Sequence, residues 1–233
     1  MRAGAHLEAV YFDARASDDA HSPSGAALSA AAAAGVRLIE LADGVLDRVS
    51  DAVTPQPVLA VATLPDTDLA SMPATGFVLV LADVRDPGNL GTAIRAADAA
   101  GAAAVVACGQ CVDVFNPKTL RATAGSVFHL PVLVAPTLRE TVDALHASSR
   151  TVLGAVVAGG EALWHATLDA GASVVIGAEA TGLRDEDLEL LDGTLTIEMA
   201  GRAESLNAGV AAALVCFEAL RRRADPPAAG RTI

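Results

Sequence analysis

Four short segments bring together residue types that can do chemistry. In Asp86-Pro87-Gly88-Asn89-Leu90-Gly91 an asparagine stands at the start of a helix, and Arg95 follows about a turn and a half later. A guanidinium stays protonated at any working pH and can clamp an anion bidentately. In Asn116-Pro117-Lys118-Thr119-Leu120-Arg121, Lys118 and Arg121 stand i, i+3 on one helix face, where two cations can meet a phosphate. In Gly177-Ala178-Glu179-Ala180-Thr181-Gly182 a buried strand runs into two glycines enclosing a carboxylate, as when a backbone must pass close to a ligand. In Ile197-Glu198-Met199 and onward to Ser205-Leu206-Asn207 a strand reaches a loop and then a helix. A capping role accounts for Ser205 but leaves Asn207 where a helix former is preferred. Taken singly, each segment is also explained by ordinary turns, caps and solvated helix faces. Neither G-x-G-x-x-G nor G-x-x-x-x-G-K-[ST] occurs, which argues against a dinucleotide or P-loop phosphate site.

The elements that must position these segments alternate. Phe77–Val84, Ala103–Ala107, Val132–Ala135, Thr151–Val157, Ser173–Gly177 and Thr194–Met199 read as strands, most of them apolar throughout. Helices are expected over Leu90–Ala100, from Asn116-Pro117, over Thr137–Ala147 and over Leu206–Arg223. Strands apolar on both faces and separated by helices predict an α/β fold, a parallel sheet with helices on both faces. Ligands of such sheets bind at the C-terminal ends of the strands, where the four segments fall. Ahead of a Pro/Asp/Ser/Thr-rich break at Thr63–Thr75 lies a smaller α/β piece: strands Leu7–Phe12, Val36–Leu41 and Val58–Ala62, and an alanine-rich helix Ser24–Gly35. The expected division is residues 1–72 and 73–233.

Composition narrows the function. The 233 residues carry a net charge of −12 and a single lysine, Lys118, so any binding of nucleic acid must rest on local arginines. No run is long and apolar enough to span a membrane and the start lacks a signal-peptide core, so a cytoplasmic protein is expected. Three cysteines, Cys108, Cys111 and Cys216, are too few for a disulfide framework or a four-ligand zinc site and read as ordinary thiols. The five histidines show no ligand spacing, so no metal is expected. Phe128 and Trp164 read as core residues.

In this order and at these intervals the four segments resemble the RNA 2′-O-ribose methyltransferases of the SpoU/TrmH family, within the SPOUT superfamily. The resemblance runs from about Phe77 to Arg223 and includes Ala122-Thr123-Ala124-Gly125 and a last helix ending in Glu218 and Arg221–Arg223. It implies a C-terminal trefoil knot, a homodimer formed through the knotted part, and S-adenosylmethionine (AdoMet) as cofactor. Gly177, Ile197, Met199 and Leu206 would hold AdoMet, largely through backbone groups. Asn89, Arg95, Glu179, Ser205 and Asn207 would form the catalytic cluster, and Lys118 and Arg121 would meet the RNA, rRNA rather than tRNA. Residues 1–62 resemble the tail end of the family's ribosomal-protein-like recognition domain, shortened at its front. Glu198 stands where the family commonly has proline. The competing reading is a noncatalytic RNA-binding or ribosome-assembly module that keeps the knotted fold.

Overall fold

Five consecutive apolar residues can be strand or helix by periodicity alone; what makes Val78–Ala82 a strand is that both of its faces find a core. Leu79 and Leu81 enter one hydrophobic cluster, while Val78, Val80 and Ala82 enter another on the opposite side of the sheet. The computed structural model describes residues 6–17, 21–50 and 54–224. The chain divides into two compact units, Met1–Pro65 and Asp66–Ile233.

The first unit holds β1 (Leu7–Phe12), α1 (Ala14–Ser17), α2 (Pro23–Ala33), β2 (Arg37–Glu40), α3 (Val45–Val49) and β3 (Val58–Ala62). Its sheet has the order β2-β1-β3, with β2 parallel and β3 antiparallel to β1. Ser22 caps α2 by accepting the Gly25 N–H at 3.0 Å. Asp13, fully buried, accepts from Arg15, which holds its carboxyl below the usual carboxylate range.

The second unit contains β4 (Val78–Ala82), α4 (Pro87–Ala99), β5 (Ala104–Cys108), α5 (Pro117–Thr123), β6 (Val132–Ala135), α6 (Leu138–Ala147), β7 (Thr151–Val156), β8 (Glu161–Ala162), β9 (Ala172–Ile176), α7 (Asp185–Leu188), β10 (Gly193–Thr196) and α8 (Ala208–Ala224). All seven strands are parallel, in the order β6-β5-β4-β9-β7-β10-β8. Residues of α4 and α8 complete the cluster on one face, and Leu138, Val142 and Leu145 of α6 the cluster on the other. This is the α/β sheet that the apolar runs predict.

Several local readings change. Part of the stretch read as a linker is tied to this sheet: the Val134 N–H donates to the Thr67 carbonyl at 2.9 Å, and Leu69 and Met72 pack against the core. The last strand ends at Thr196 rather than Met199, and the last helix starts at Ala208 rather than Leu206. Ile197–Asn207 is therefore loop, with Gly201 and short polar residues in place of a periodic apolar pattern. Trp164 is 41% exposed, not core, whereas Phe128 does pack against the core. The thiols are ordinary: burial pushes Cys108 and Cys216 up to about 12. Among the described residues no helix is long and apolar enough to cross a membrane.

Candidate active site

The site is built around α4. Asp86 caps it by accepting the Asn89 N–H at 2.8 Å, with Pro87 at the first helical position, so Asn89 is fixed in the first turn. Two helices then clasp α4. Gly91 lies against α5 so closely that a Cβ there would sit 2.4 Å from the Ala122 methyl and 2.8 Å from the Thr119 carbonyl. Helix α8 reaches both ends. At the far end Arg223 donates to the Ala100 carbonyl at 2.6 Å and the Gly101 carbonyl at 3.0 Å, covering the last carbonyls of α4. At the near end Asn207 meets Asn89.

That meeting forms a chain of hydrogen bonds through three distant segments. Asn89 Nδ2 donates to Glu179 Oε1 at 2.8 Å, Asn207 Nδ2 donates to Asn89 Oδ1 at 2.7 Å, and Asn207 Oδ1 accepts the Val210 N–H at 3.2 Å. The polarity is fixed at both ends. A carboxylate can only accept and a backbone N–H can only donate, so each amide has one orientation compatible with its neighbours. Asn207, which helix propensity left unexplained, is the cap of α8, and its other end is spent on Asn89.

Glu179 stands in a tight turn after β9. Gly182 donates its N–H to the Ala178 carbonyl at 2.9 Å with φ +63°, and the turn folds back on Gly177. A Cβ on Gly177 would lie 2.4 Å from the Gly182 carbonyl carbon, so only glycine fits. On one side of this turn is a hollow of about 250 Å3, lined by Gly177, Ile197, Met199, Ser205 and Leu206. The four proposed cofactor residues thus share one wall system. Ala155–Val157, at the end of β7, also line it; sequence reading missed them, though the rule that ligands sit at strand C-termini points there. Among the described residues lining this hollow, Glu179 is the one ionisable side chain.

The other sequence candidates lie apart from the chain of hydrogen bonds. Arg95 is exposed on α4 and has no hydrogen-bond or ion-pair partner among the described residues; Asn89 bonds Glu179 and Asn207 and not Arg95. Ser205 lines the hollow without bonding a described residue. Lys118 and Arg121 are exposed on α5 and line neither this hollow nor the larger one across the turn. Glu198 is exposed. Among the described residues no group of histidine, cysteine, aspartate or glutamate could hold a metal ion.

Likeness to known proteins narrows the assignment. A 23S rRNA (guanosine(2553)-2′-O)-methyltransferase, RlmP, of Bacillus subtilis is 38% identical over 183 residues, covering 78% of this chain and 72% of the relative. A 23S rRNA (guanosine-2′-O-)-methyltransferase, RlmB, of Ralstonia nicotianae is 33% identical over 228 residues, covering 95% and 90%. The crystal structure of an AdoMet-bound rRNA methyltransferase from Sinorhizobium meliloti superposes with a TM-score of 0.81 at 29% identity, covering 95% of this chain and 82% of that one. The family model for SpoU rRNA methylases matches residues 76–217, from just before β4 into the helix that Asn207 caps, and the chain belongs to that family.

Proposed function

We propose that this protein transfers the methyl group of AdoMet to a ribose 2′-hydroxyl of 23S rRNA. The observation that carries the reading is the Glu179–Asn89–Asn207 chain at the edge of a hollow whose wall is backbone and small apolar side chains. The residues fit AdoMet. A sulfonium cation is repelled by guanidinium groups, and none lines this hollow; its charged wall residue is the carboxylate of Glu179. Gly177, Ile197, Met199 and Leu206 would hold the cofactor, with Gly177 allowing the backbone itself to form the contact.

Bound AdoMet supplies a methyl already activated on sulfur, so the protein has mainly to align a hydroxyl with it and manage the departing proton. Asn89 has spent one N–H and one lone pair on its neighbours, which leaves one of each for a ribose while the side chain cannot rotate. Arg95, unpartnered and on the same helix, would clamp the adjoining phosphate and stabilise the oxygen as its proton passes to phosphate or water. Ser205 would fix the loop over the cofactor, and Lys118 and Arg121 would meet the RNA farther along α5.

Three further readings accompany this one. Val210, Leu214, Phe217 and Leu220 are 37–50% exposed along one side of α8, an unpartnered apolar stripe suited to a second copy of the chain. Sedimentation of the parent and of Phe217→Asp tests the homodimer: a parent that runs as a monomer removes it. Loops that leave no room for a Cβ, as at Gly177 against Gly182 and Gly160 against Leu195, support the threading of the C-terminal part into a knot. Residues 1–72 would select the RNA, and work on rRNA would place the protein in the cytoplasm.

The test is calorimetric titration with AdoMet, followed by methyl transfer to unmodified 23S rRNA transcript. Saturable binding with transfer is expected. Binding without transfer to any RNA leaves the noncatalytic module; no binding removes both.

A further inference from the structure

Across the turn from the cofactor hollow lies a larger one, about 670 Å3, at the C-terminal ends of β4, β5, β6 and β9. The two share Ala178–Thr181, so Glu179 stands in the wall between them. We infer that this second hollow seats the RNA strand next to the methylated nucleotide, with Arg85 and Arg139 gripping its phosphates. The inference rests on the reading of the preceding subsection and adds to it a binding site for the substrate.

What sets this hollow apart is which of its charged groups the fold leaves without a partner. Seven charged side chains line the hollow, four acidic and three basic, which by count alone does not favour a polyanion. Their engagement differs. Asp83 accepts the Gln110 N–H at 2.6 Å, Asp187 accepts from Arg184 Nε at 2.9 Å, Glu186 pairs with Arg184 at 2.7 Å, and Glu179 accepts from Asn89. All four acids therefore have a donor: two of them hold Arg184, and Asp83 and Glu179 accept from neutral groups and keep their charge. Arg85 and Arg139 are exposed and have no partner among the described residues, so these two guanidinium groups are the cations of the hollow left free to take a phosphate.

The placement of Arg139 is unfavourable to its own helix, which points to an external partner. Arg139 stands in the first turn of α6, where a cation opposes the helix dipole and an anion bound to it would reverse the sign. Arg85 follows a turn held open at Asp83, whose φ of +59° is sparsely populated for a non-glycine residue. The same hollow is lined by Leu138, Leu190 and Ala82, apolar surface for the flat face of a base. In a chain of net charge −12, a local cationic pair beside the reacting centre is how a polyanion can be held.

The experiment measures binding of unmodified 23S rRNA transcript to the full chain between about 50 and 200 mM salt, for the parent, R85A, R139A and the double variant, beside methyl transfer and AdoMet titration. Each alanine is expected to weaken RNA binding about 3–10-fold and to flatten the slope of log affinity against log salt by about one. KM for the RNA rises, kcat and AdoMet affinity stay near the parent's, and R85K and R139K restore the slope because they restore charge. A double variant with the parent's slope and KM overturns the inference. So does a loss of affinity that lysine does not rescue, since that marks a structural role. The two readings fail separately: transfer by the parent with an unaltered slope in the double variant sinks only the second hollow, whereas an arginine-dependent slope without transfer sinks only the methyltransferase.

Discussion

The two sheets of this chain are made from similar residues and buried to different degrees. Every residue of β4, β5 and β9 is buried, whereas no residue of β2 or β3 is. The first unit gathers its core from Val10, Ala16, Leu28 and Ala31, and an alanine-rich α2 contributes little apolar area per residue. The seven-stranded sheet has a cluster on each face. In the proposed function, the chemistry that must hold an amide and a methyl donor to within a fraction of an ångström would sit at the ends of the doubly covered sheet. In the proposed reading the thinly covered unit would take the less exacting work of meeting a large, irregular RNA.

The comparison can be broken most severely at Gly177. Gly177→Val drives a side chain into the Gly182 backbone, and calorimetry should find AdoMet binding weakened more than about 100-fold, or no folded protein by near-ultraviolet circular dichroism. Parent-like binding would mean the turn is not the cofactor wall. Arg95→Ala comes next: methyl transfer should fall about 10²–10³-fold with AdoMet affinity within about twofold, because this side chain supports nothing in the fold. A smaller pair of changes sharpens the contrast between the sheets. Leu79→Ala should cost about 4 kcal/mol in urea unfolding and Leu28→Ala about 2, the first leaving a cavity sealed on all sides. Equal losses would refute the difference in packing.

The smallest effect is acid sensitivity, which both units share. Hydrogen bonds from Arg15 hold Asp13 below its ordinary value, and those from Arg221 and Arg222 do the same for Glu218. A carboxyl with a depressed folded-state value contributes stability above its ordinary value and loses it as pH falls through the folded one. Unfolding midpoints should therefore be flat above about pH 5 and decline below about pH 4, and Glu218→Gln should shallow that decline.

Much of the scaffold could be read from the chain alone, because its signals are local. Apolar runs mark β4, β5 and β9, and Asp86-Pro87 and Asn116-Pro117 announce the starts of α4 and α5 as capping residue plus proline. What escaped is what depends on distance. Glu179 and Asn89 are 90 residues apart and meet only because β9 lies beside β4, a strand order that no periodicity encodes. Asn207 stands out in sequence as a poor helix former, but the reason appears only when its two contacts, capping α8 and holding Asn89, are seen together. β8, of two residues, is too short to have a pattern, and the exposure of Trp164 contradicts the burial its size suggests. The second hollow was invisible for a related reason. Arg85 and Arg139 lie in different segments, and their significance rests on the fold's leaving both without a partner.

One measurement bears most directly on the central claim, that the hydroxyl methylated is the ribose 2′ one. 23S rRNA transcript treated with the protein and AdoMet labelled in its methyl group is hydrolysed with alkali, which needs a free 2′-hydroxyl to cleave the adjoining phosphodiester. The account predicts that the label is recovered in alkali-resistant dinucleotides, and that Arg95→Ala removes it. Label recovered in single nucleotides, on a base, would contradict it.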